Sequence, residues 1–155
     1  MNTNFFEYKF RSHSKEEARK RLKRLKLGKP IIQNVTDTYL ISHDDKTEKI
    51  YESDGKIFFI TVIRKSEGFE MNQEEIDAED KKILIDRSGI DTVMKKARSV
   101  WKAKNAEVAL DEVKGLKGVF IELQGSDKDY LSKLLSELEI KESDLITIPY
   151  NQLHY

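Results

Sequence analysis

The sequence predicts a β-rich α+β fold in which antiparallel strands close into a barrel, with a few helices at the periphery. Three observations carry that prediction. Extended stretches with period-two alternation recur at short spacing from Asn4 to Gln124. Helical signals interrupt them at few points, so the pattern is not the regular strand-helix repeat of a doubly wound sheet. Several strands also place charged side chains of both signs on one face, which suits a sheet closed around a polar interior, and closure removes exposed edges.

Composition bounds the remaining choices. A chain of 155 residues fits one domain, residues 1–155, and is long enough to bury about two-thirds of its unfolded surface. Charged residues make up 36% and apolar residues 38%, as expected of a soluble protein with a modest core. Lys plus Arg and Asp plus Glu both number 28, so no whole-molecule attraction favours nucleic acid or an anionic membrane as partner. Without Cys there are no disulfides or thiolate metal sites. The first residues lack the basic-then-apolar order of a signal peptide, and no apolar run approaches the ~20 residues of a spanning helix. A cytoplasmic location is expected.

In chain order, Asn4–Arg11 alternates, with Glu7, Lys9 and Arg11 on one side and Phe6, Tyr8 and Phe10 on the other. Ser14 and Glu17 form a capping-box pattern that opens a basic helix running to about Leu27, with Gly28 as its stop. A Lys/Arg-rich helix of this kind is most simply a solvated amphipathic face. After Pro30, residues Ile31–Ser42 read as a long strand, His43–Lys46 as a turn and Thr47–Glu52 as a strand. Ser53-Asp54-Gly55 is a hairpin turn, followed by the strand Lys56–Lys65. Phe69–Ile76 reads as a further strand, and Asp77–Ser88 as a short helix ended by Gly89.

The strand Asp91–Lys102 sets Lys96, Arg98 and Lys102 on one strongly basic face. Two strands then fold back across a turn at Lys114–Lys117. The second places Phe120, Glu122 and Gln124 on one face and Val119, Ile121 and Leu123 on the other. Beyond Gly125-Ser126-Asp127 an apolar-periodic helix covers Tyr130, Leu131, Leu134, Leu135 and Leu138, and the tail Thr147–Tyr155 allows one last turn of helix after Pro149. His13, His43 and His154 fall at element ends or loops without metal-ligand spacing.

A barrel too wide to fill with side chains brings Glu7, Lys9, Lys96, Arg98, Asp111 and Glu122 into one interior. Buried charges of both signs need partners or a charged guest. A metal-bound polyphosphate matches both sets, since Lys and Arg suit phosphate oxygens and carboxylates suit Mg²⁺ or Mn²⁺.

At this point the chain resembles the CYTH or triphosphate tunnel metalloenzymes, which include class IV adenylyl cyclases, thiamine triphosphatases and inorganic tripolyphosphatases. Phe5-Phe-Glu-Tyr-Lys9 stands where the family has Glu-x-Glu-x-Lys, and Thr36-Asp-Thr-Tyr39 looks like its second strand. Lys96-x-Arg98-x-x-Trp101 resembles Lys-x-Arg-x-x-Tyr. Leu110-Asp-Glu-Val-Lys-Gly-Leu116 followed by Val119-Phe-Ile-Glu122 is the most specific match. The resemblance implies an eight-stranded antiparallel tunnel holding a triphosphate end-on. It implies phosphate contacts from Lys9, Arg11, Lys49, Arg64, Lys65, Lys96 and Arg98, and Mg²⁺ or Mn²⁺ on Glu7, Asp111 and Glu122, with Glu75 a further candidate. Related proteins are often dimers, so a homodimer is open.

Phe5 and Gln124 replace two glutamates of the family pattern, and Lys49-x-Tyr51 stands opposite its Arg-x-Arg. Loss of metal-holding charge weakens phosphoryl transfer more than anion binding. The functions to separate are therefore a metal-dependent triphosphatase, a class IV cyclase-like enzyme, and a module that binds a polyphosphate or nucleotide without turnover.

Overall fold

In a computed structural model, residues 3–43, 46–66 and 68–153 are described. Among them are eight strands: β1 (Thr3–Ser12), β2 (Ile31–Leu40), β3 (Lys46–Ser53), β4 (Lys56–Arg64), β5 (Phe69–Ile76), β6 (Ile90–Lys102), β7 (Ala106–Val113) and β8 (Val119–Gly125). They close in the order β1-β5-β4-β3-β2-β6-β7-β8, and every pair is antiparallel. The expected eight-stranded α+β barrel is the fold observed. No helix among the described residues is long and apolar enough to cross a membrane.

Register decides which side chains face inward. Lys9 lies opposite Glu122 and Glu7 opposite Gln124 across β1 and β8, while Arg98 lies opposite Asp111 across β6 and β7. A slip of one residue in any of these pairs would turn its charges outward, so pairing and polarity pattern fix each other.

The main apolar core lies outside the barrel wall. Tyr8 and Phe10 of β1, Val108 and Leu110 of β7, and Val119, Ile121 and Leu123 of β8 are buried together. They are covered by Ala18 and Leu22 of α1 (Lys15–Leu22) and by Leu131, Leu134 and Leu135 of α3 (Lys128–Glu137). Each large side chain fully buried here contributes about 1.5–3 kcal/mol. The helices sit here because their caps hold their first turns: Ser14 Oγ accepts from Glu17 N at 3.1 Å, and Asp127 Oδ1 accepts from Asp129 N at 2.9 Å. The third helix, α2 (Ala78–Ser88), has a capping box between Asp77 and Asp80 and ends at Gly89, φ 79°.

Some boundaries differ from the sequence expectation. α1 gives way to a 3-10 turn at Lys23–Leu25, and Lys26 takes the left-handed conformation (φ 51°), so the helix ends before Gly28. β2 stops at Leu40 and β3 begins at Lys46; the intervening Asp44 and Asp45, like His154 and Tyr155, lie outside the described residues.

The C-terminal segment closes one end of the barrel. β5 pairs with β1 only as far as Glu7. Beyond that point Leu145 bridges to Phe10, and Ile146 N donates to Lys9 O at 2.7 Å. Pro149 then leads into the 3-10 turn Tyr150–Gln152, the expected last helical turn. Tyr150 is 1% exposed, packed edge-on against Phe120 with ring centroids 4.9 Å apart.

Candidate functional site

The barrel interior has two unlike walls. On one, β2, β3, β6, β7 and β8 contribute Asp37, Lys49, Lys96, Arg98, Asp111 and Glu122, all buried. Glu7 and Lys9 of β1 join them. On the other, β4 and β5 contribute Ile60, Val62, Phe69 and Met71, which pack together with Phe5, Phe58 and Tyr51.

The charged wall is a continuous ion-pair network. Arg98 Nε donates to Asp111 Oδ1 at 2.7 Å and its Nη2 to Asp111 Oδ2 at 2.8 Å, a bidentate pair, while Nη2 also bonds Glu122 Oε2. Lys96 Nζ stands 3.0 Å from Asp37 Oδ2 and 3.7 Å from Asp111 Oδ2. Lys49 reaches the same Asp37 oxygen at 3.4 Å. Lys9 sits 3.7 Å from Glu7 and 3.6 Å from Glu122, with its ammonium 3.8 Å from the centre of the Tyr150 ring. Tyr150 OH donates to Asp111 Oδ2 at 2.8 Å.

Electrostatics divides Asp37 and Glu122 from Glu7. Burial pushes the Asp37 carboxyl up, but Lys49 and Lys96 outweigh it and hold the group below its ordinary value. Burial likewise acts on Glu122, yet Arg98, Lys9 and Lys96 hold it well below. Glu7 goes the other way: burial, then the neighbouring Glu122 charge, push it up to about 8. At neutral pH Glu7 therefore keeps its proton while Asp37 and Glu122 are ionised. Among the bases, burial lowers Lys49, whereas the acids around Lys96 and Arg98 overcome burial and keep both charged.

All the residues expected to share one interior do so: Glu7, Lys9, Lys96, Arg98, Asp111 and Glu122, with Lys49 beside them. The remaining predicted positions lie elsewhere. Arg11 is exposed near the closed end, 5.0 Å above the Phe120 ring. Arg64, at the end of β4, donates to Gln152 Oε1 at 3.0 Å. Lys65 is exposed beyond β4 and pairs with Glu70, and Glu75 is exposed opposite Phe58 on β5.

Asp37 and Tyr150 were not anticipated. Asp37 alternates with Gln33, Val35 and Tyr39 in a set that looks no more polar than the opposite face, and only its place in Thr36-Asp-Thr-Tyr39 marked it. Tyr150 follows a proline in an aperiodic tail.

The carboxylates do not form a cage for a resident divalent ion. Asp111 is engaged by Arg98, Lys96 and Tyr150, Glu122 by Arg98, Lys9 and Gln124, and Glu7 by Lys9. Among the described residues no group of three or more His, Asp or Glu side chains is placed to hold a metal. Hard cations such as Mg²⁺ require several free oxygens in near-octahedral array, and here ammonium and guanidinium groups already occupy that face of the acids.

The tunnel opens at the end formed by the β3–β4 and β6–β7 turns, into a cavity of about 470 Å³. Phe5, Tyr51, Phe58, Ile60, Met71, Arg98, Glu122 and Gln124 are among the residues lining it.

Solved structures share this barrel over nearly its whole length. A protein of Pyrococcus horikoshii OT3 superposes with a TM-score of 0.78 at 21% identity, covering 94% of this chain and 96% of that one. A conserved hypothetical protein of Pyrococcus furiosus gives 0.78 at 21% identity, covering 97% and 99%. A candidate adenylate cyclase of Vibrio parahaemolyticus gives 0.73 at 15% identity, covering 98% of each chain. At these identities the likeness is one of fold. No curated protein matches the chain significantly by sequence. The CYTH domain model matches residues 6–148, which takes in β1 from Phe6 onward, all of β2 to β8 and every ion-paired residue of the charged wall. With barrel, register and inward-facing charges all in agreement with that match, the chain belongs to the CYTH domain family.

Proposed function

We propose that this protein binds the triphosphate chain of a small molecule inside the tunnel and hydrolyses it. The observation that carries the reading is the convergence of Lys9, Lys49, Lys96 and Arg98 on one buried stretch of wall. The acids beside them are Asp37, Asp111, Glu122 and a Glu7 that keeps its proton. Glu7, pushed up to about 8 by burial and by the Glu122 charge, adds no negative charge to this wall at neutral pH, which favours an incoming anion. Lys96 Nζ and Asp37 Oδ1 also lack hydrogen bonds of good geometry. A buried ammonium with unused donors is suited to take a phosphate oxygen.

Transfer of a terminal phosphoryl group to water passes through a loose transition state, in which positioning and charge neutralisation do most of the work. Lys96 and Arg98, kept charged by their acidic neighbours, supply fixed positive charge. Lys49, whose ammonium is the less favoured by burial, gains most from an arriving anion. A divalent ion, Mg²⁺ or Mn²⁺, belongs to this scheme only as part of the substrate, carried on the triphosphate's own oxygens.

A second reading, binding without turnover, is favoured by Phe5 and Gln124, which bring no carboxylate to the strand positions beside Glu7 and Glu122. The test is to incubate the protein with inorganic triphosphate, ATP and thiamine triphosphate, each with and without Mg²⁺ or Mn²⁺. Unfolding midpoints and products are then measured. A raised midpoint with phosphate release supports hydrolysis. A raised midpoint without product supports the second reading, cyclic AMP from ATP would show cyclase chemistry instead, and no midpoint shift with any ligand overturns the assignment.

A further inference from the structure

The ion-pair network has a member that comes from outside the barrel wall, Tyr150 of the C-terminal 3-10 turn, and no step of the triphosphate scheme uses it. The three acids that meet the phosphate-facing bases are held by partners of different kinds. Among the described residues, Asp37 is held by the cations Lys49 and Lys96 alone. Glu122 has Arg98 and Lys9, together with one neutral donor, Gln124 Nε2 at 3.2 Å. Asp111 has Arg98 and Lys96, together with a closer neutral donor, Tyr150 OH at 2.8 Å.

An anion gripped by Arg98 and Lys96 draws on the donors that now serve Asp111. That carboxylate is 0% exposed, so water cannot take their place. A buried charge that loses part of its pairing is destabilised strongly. Tyr150 OH is the partner of Asp111 that carries no charge of its own to turn toward phosphate. Burial, and then the charges of Asp111 and Glu122, push the phenol well above its ordinary value, so it keeps its proton and remains a donor.

The hydroxyl is also held from behind. The Tyr150 ring packs against Phe120, and the Lys9 ammonium lies over its face. The turn is tied on both flanks: Asn151 Nδ2 donates to Asp91 Oδ2 at 3.2 Å at the start of β6, and Gln152 Oε1 accepts from Arg64 at the end of β4. It therefore keeps its place when the side chains of the network shift.

Resting on the triphosphate reading above, we infer that Tyr150 is a positioning residue of the anion site: its hydroxyl holds Asp111 in place while Arg98 and Lys96 turn donors from that carboxylate to a phosphate oxygen. It acts through Asp111. The C-terminal segment is then part of the binding machinery as well as a cover for the closed end of the barrel.

The test is calorimetric titration with inorganic triphosphate of wild type, Tyr150→Phe, Asp111→Asn and the double variant, with urea unfolding of each in the presence and absence of the ligand. Tyr150→Phe keeps the ring against Phe120 and removes one hydroxyl. It should fold, bind triphosphate about 10-fold more weakly than wild type, and gain correspondingly less stability from the ligand. In the Asp111→Asn background, which has no buried charge to hold, the same change should alter affinity by less than about twofold. Should Asp111→Asn fail to fold, the comparison of Tyr150→Phe with wild type decides alone. A Tyr150→Phe protein that binds within about twofold of wild type, whatever its stability, or that no longer folds, leaves the tyrosine a structural role only and overturns the inference, with the triphosphate reading standing. An equal loss in both backgrounds separates the hydroxyl from Asp111 and overturns it too. Absence of saturable binding by wild type overturns both.

Discussion

The two walls of the tunnel are made by the same means, inward positions of alternating strands, yet they are held by opposite physics. The apolar wall of β4 and β5 is stable by itself: Ile60, Val62, Phe69 and Met71 gain from leaving water whatever their exact partners. The charged wall is stable only as a set. Each of Asp37, Asp111 and Glu122 has at least two cations, or a cation and a hydroxyl, within reach. Burying a paired charge roughly breaks even, whereas removing one partner leaves the other uncompensated. The charged wall is thus the specific, costly half of the barrel, and its retention makes sense for a guest that displaces some of the internal pairs with its own charges.

That contrast sets the expected order of mutational effects. Arg98→Met removes the bidentate partner of Asp111 and one of the two cations on Glu122, and should cost about 3–5 kcal/mol of stability. It should also abolish measurable triphosphate binding; urea unfolding and calorimetry read the two effects. Met71→Ala on the apolar wall should cost about 2 kcal/mol, at the low end for such truncations because the site borders open cavity. Inorganic triphosphate affinity should stay within about twofold. Were the Met71 variant to lose the anion and the Arg98 variant to keep it, the division between the walls would be wrong.

A smaller effect depends on pH. The Glu7 proton is held up to about 8, against an ordinary value of 4.5, so between those values the folded state binds more protons than the unfolded one. By linkage its contribution to stability falls as pH rises through that window and is fully lost above it. Glu7→Gln, which cannot ionise, should therefore raise the unfolding midpoint more at pH 8.5 than at pH 5. A midpoint gain that is the same at both pH values would remove Glu7 from the proton account. The smallest effect expected is from Lys65→Ala, whose exposed pair with Glu70 lies outside the cavity. Stability should change by less than about 0.5 kcal/mol and triphosphate binding not at all.

The same contrast explains what the sequence disclosed. Charged residues on strands whose other face is apolar stand out, and closure of the sheet together with the family resemblance put Glu7, Lys9, Lys96, Arg98, Asp111 and Glu122 in one interior. The apolar wall could not be read that way. β4 carries Ile57, Phe59 and Ile63 on one face and Phe58, Ile60 and Val62 on the other, so period two does not say which face is enclosed. Long-range closure was equally hidden: that Leu145 bridges to Phe10 and Tyr150 reaches Asp111 depends on β5 beginning only opposite Glu7, which no local pattern encodes. Arg64 and Lys65 lie just beyond Ile63, where the family pattern has the lysine that closes the fourth strand, and β4 ends one residue before Lys65.

The central claim is that the charged wall grips a triphosphate, and Lys96 is the residue at its centre. Wild type and Lys96→Met should be titrated with inorganic triphosphate in the same buffer, with folding of both checked by circular dichroism. A single saturable site in the wild type, weakened at least ~10-fold in a folded Lys96→Met protein, is the predicted result. Equal affinity in the two proteins, or no saturable site in either, would contradict it.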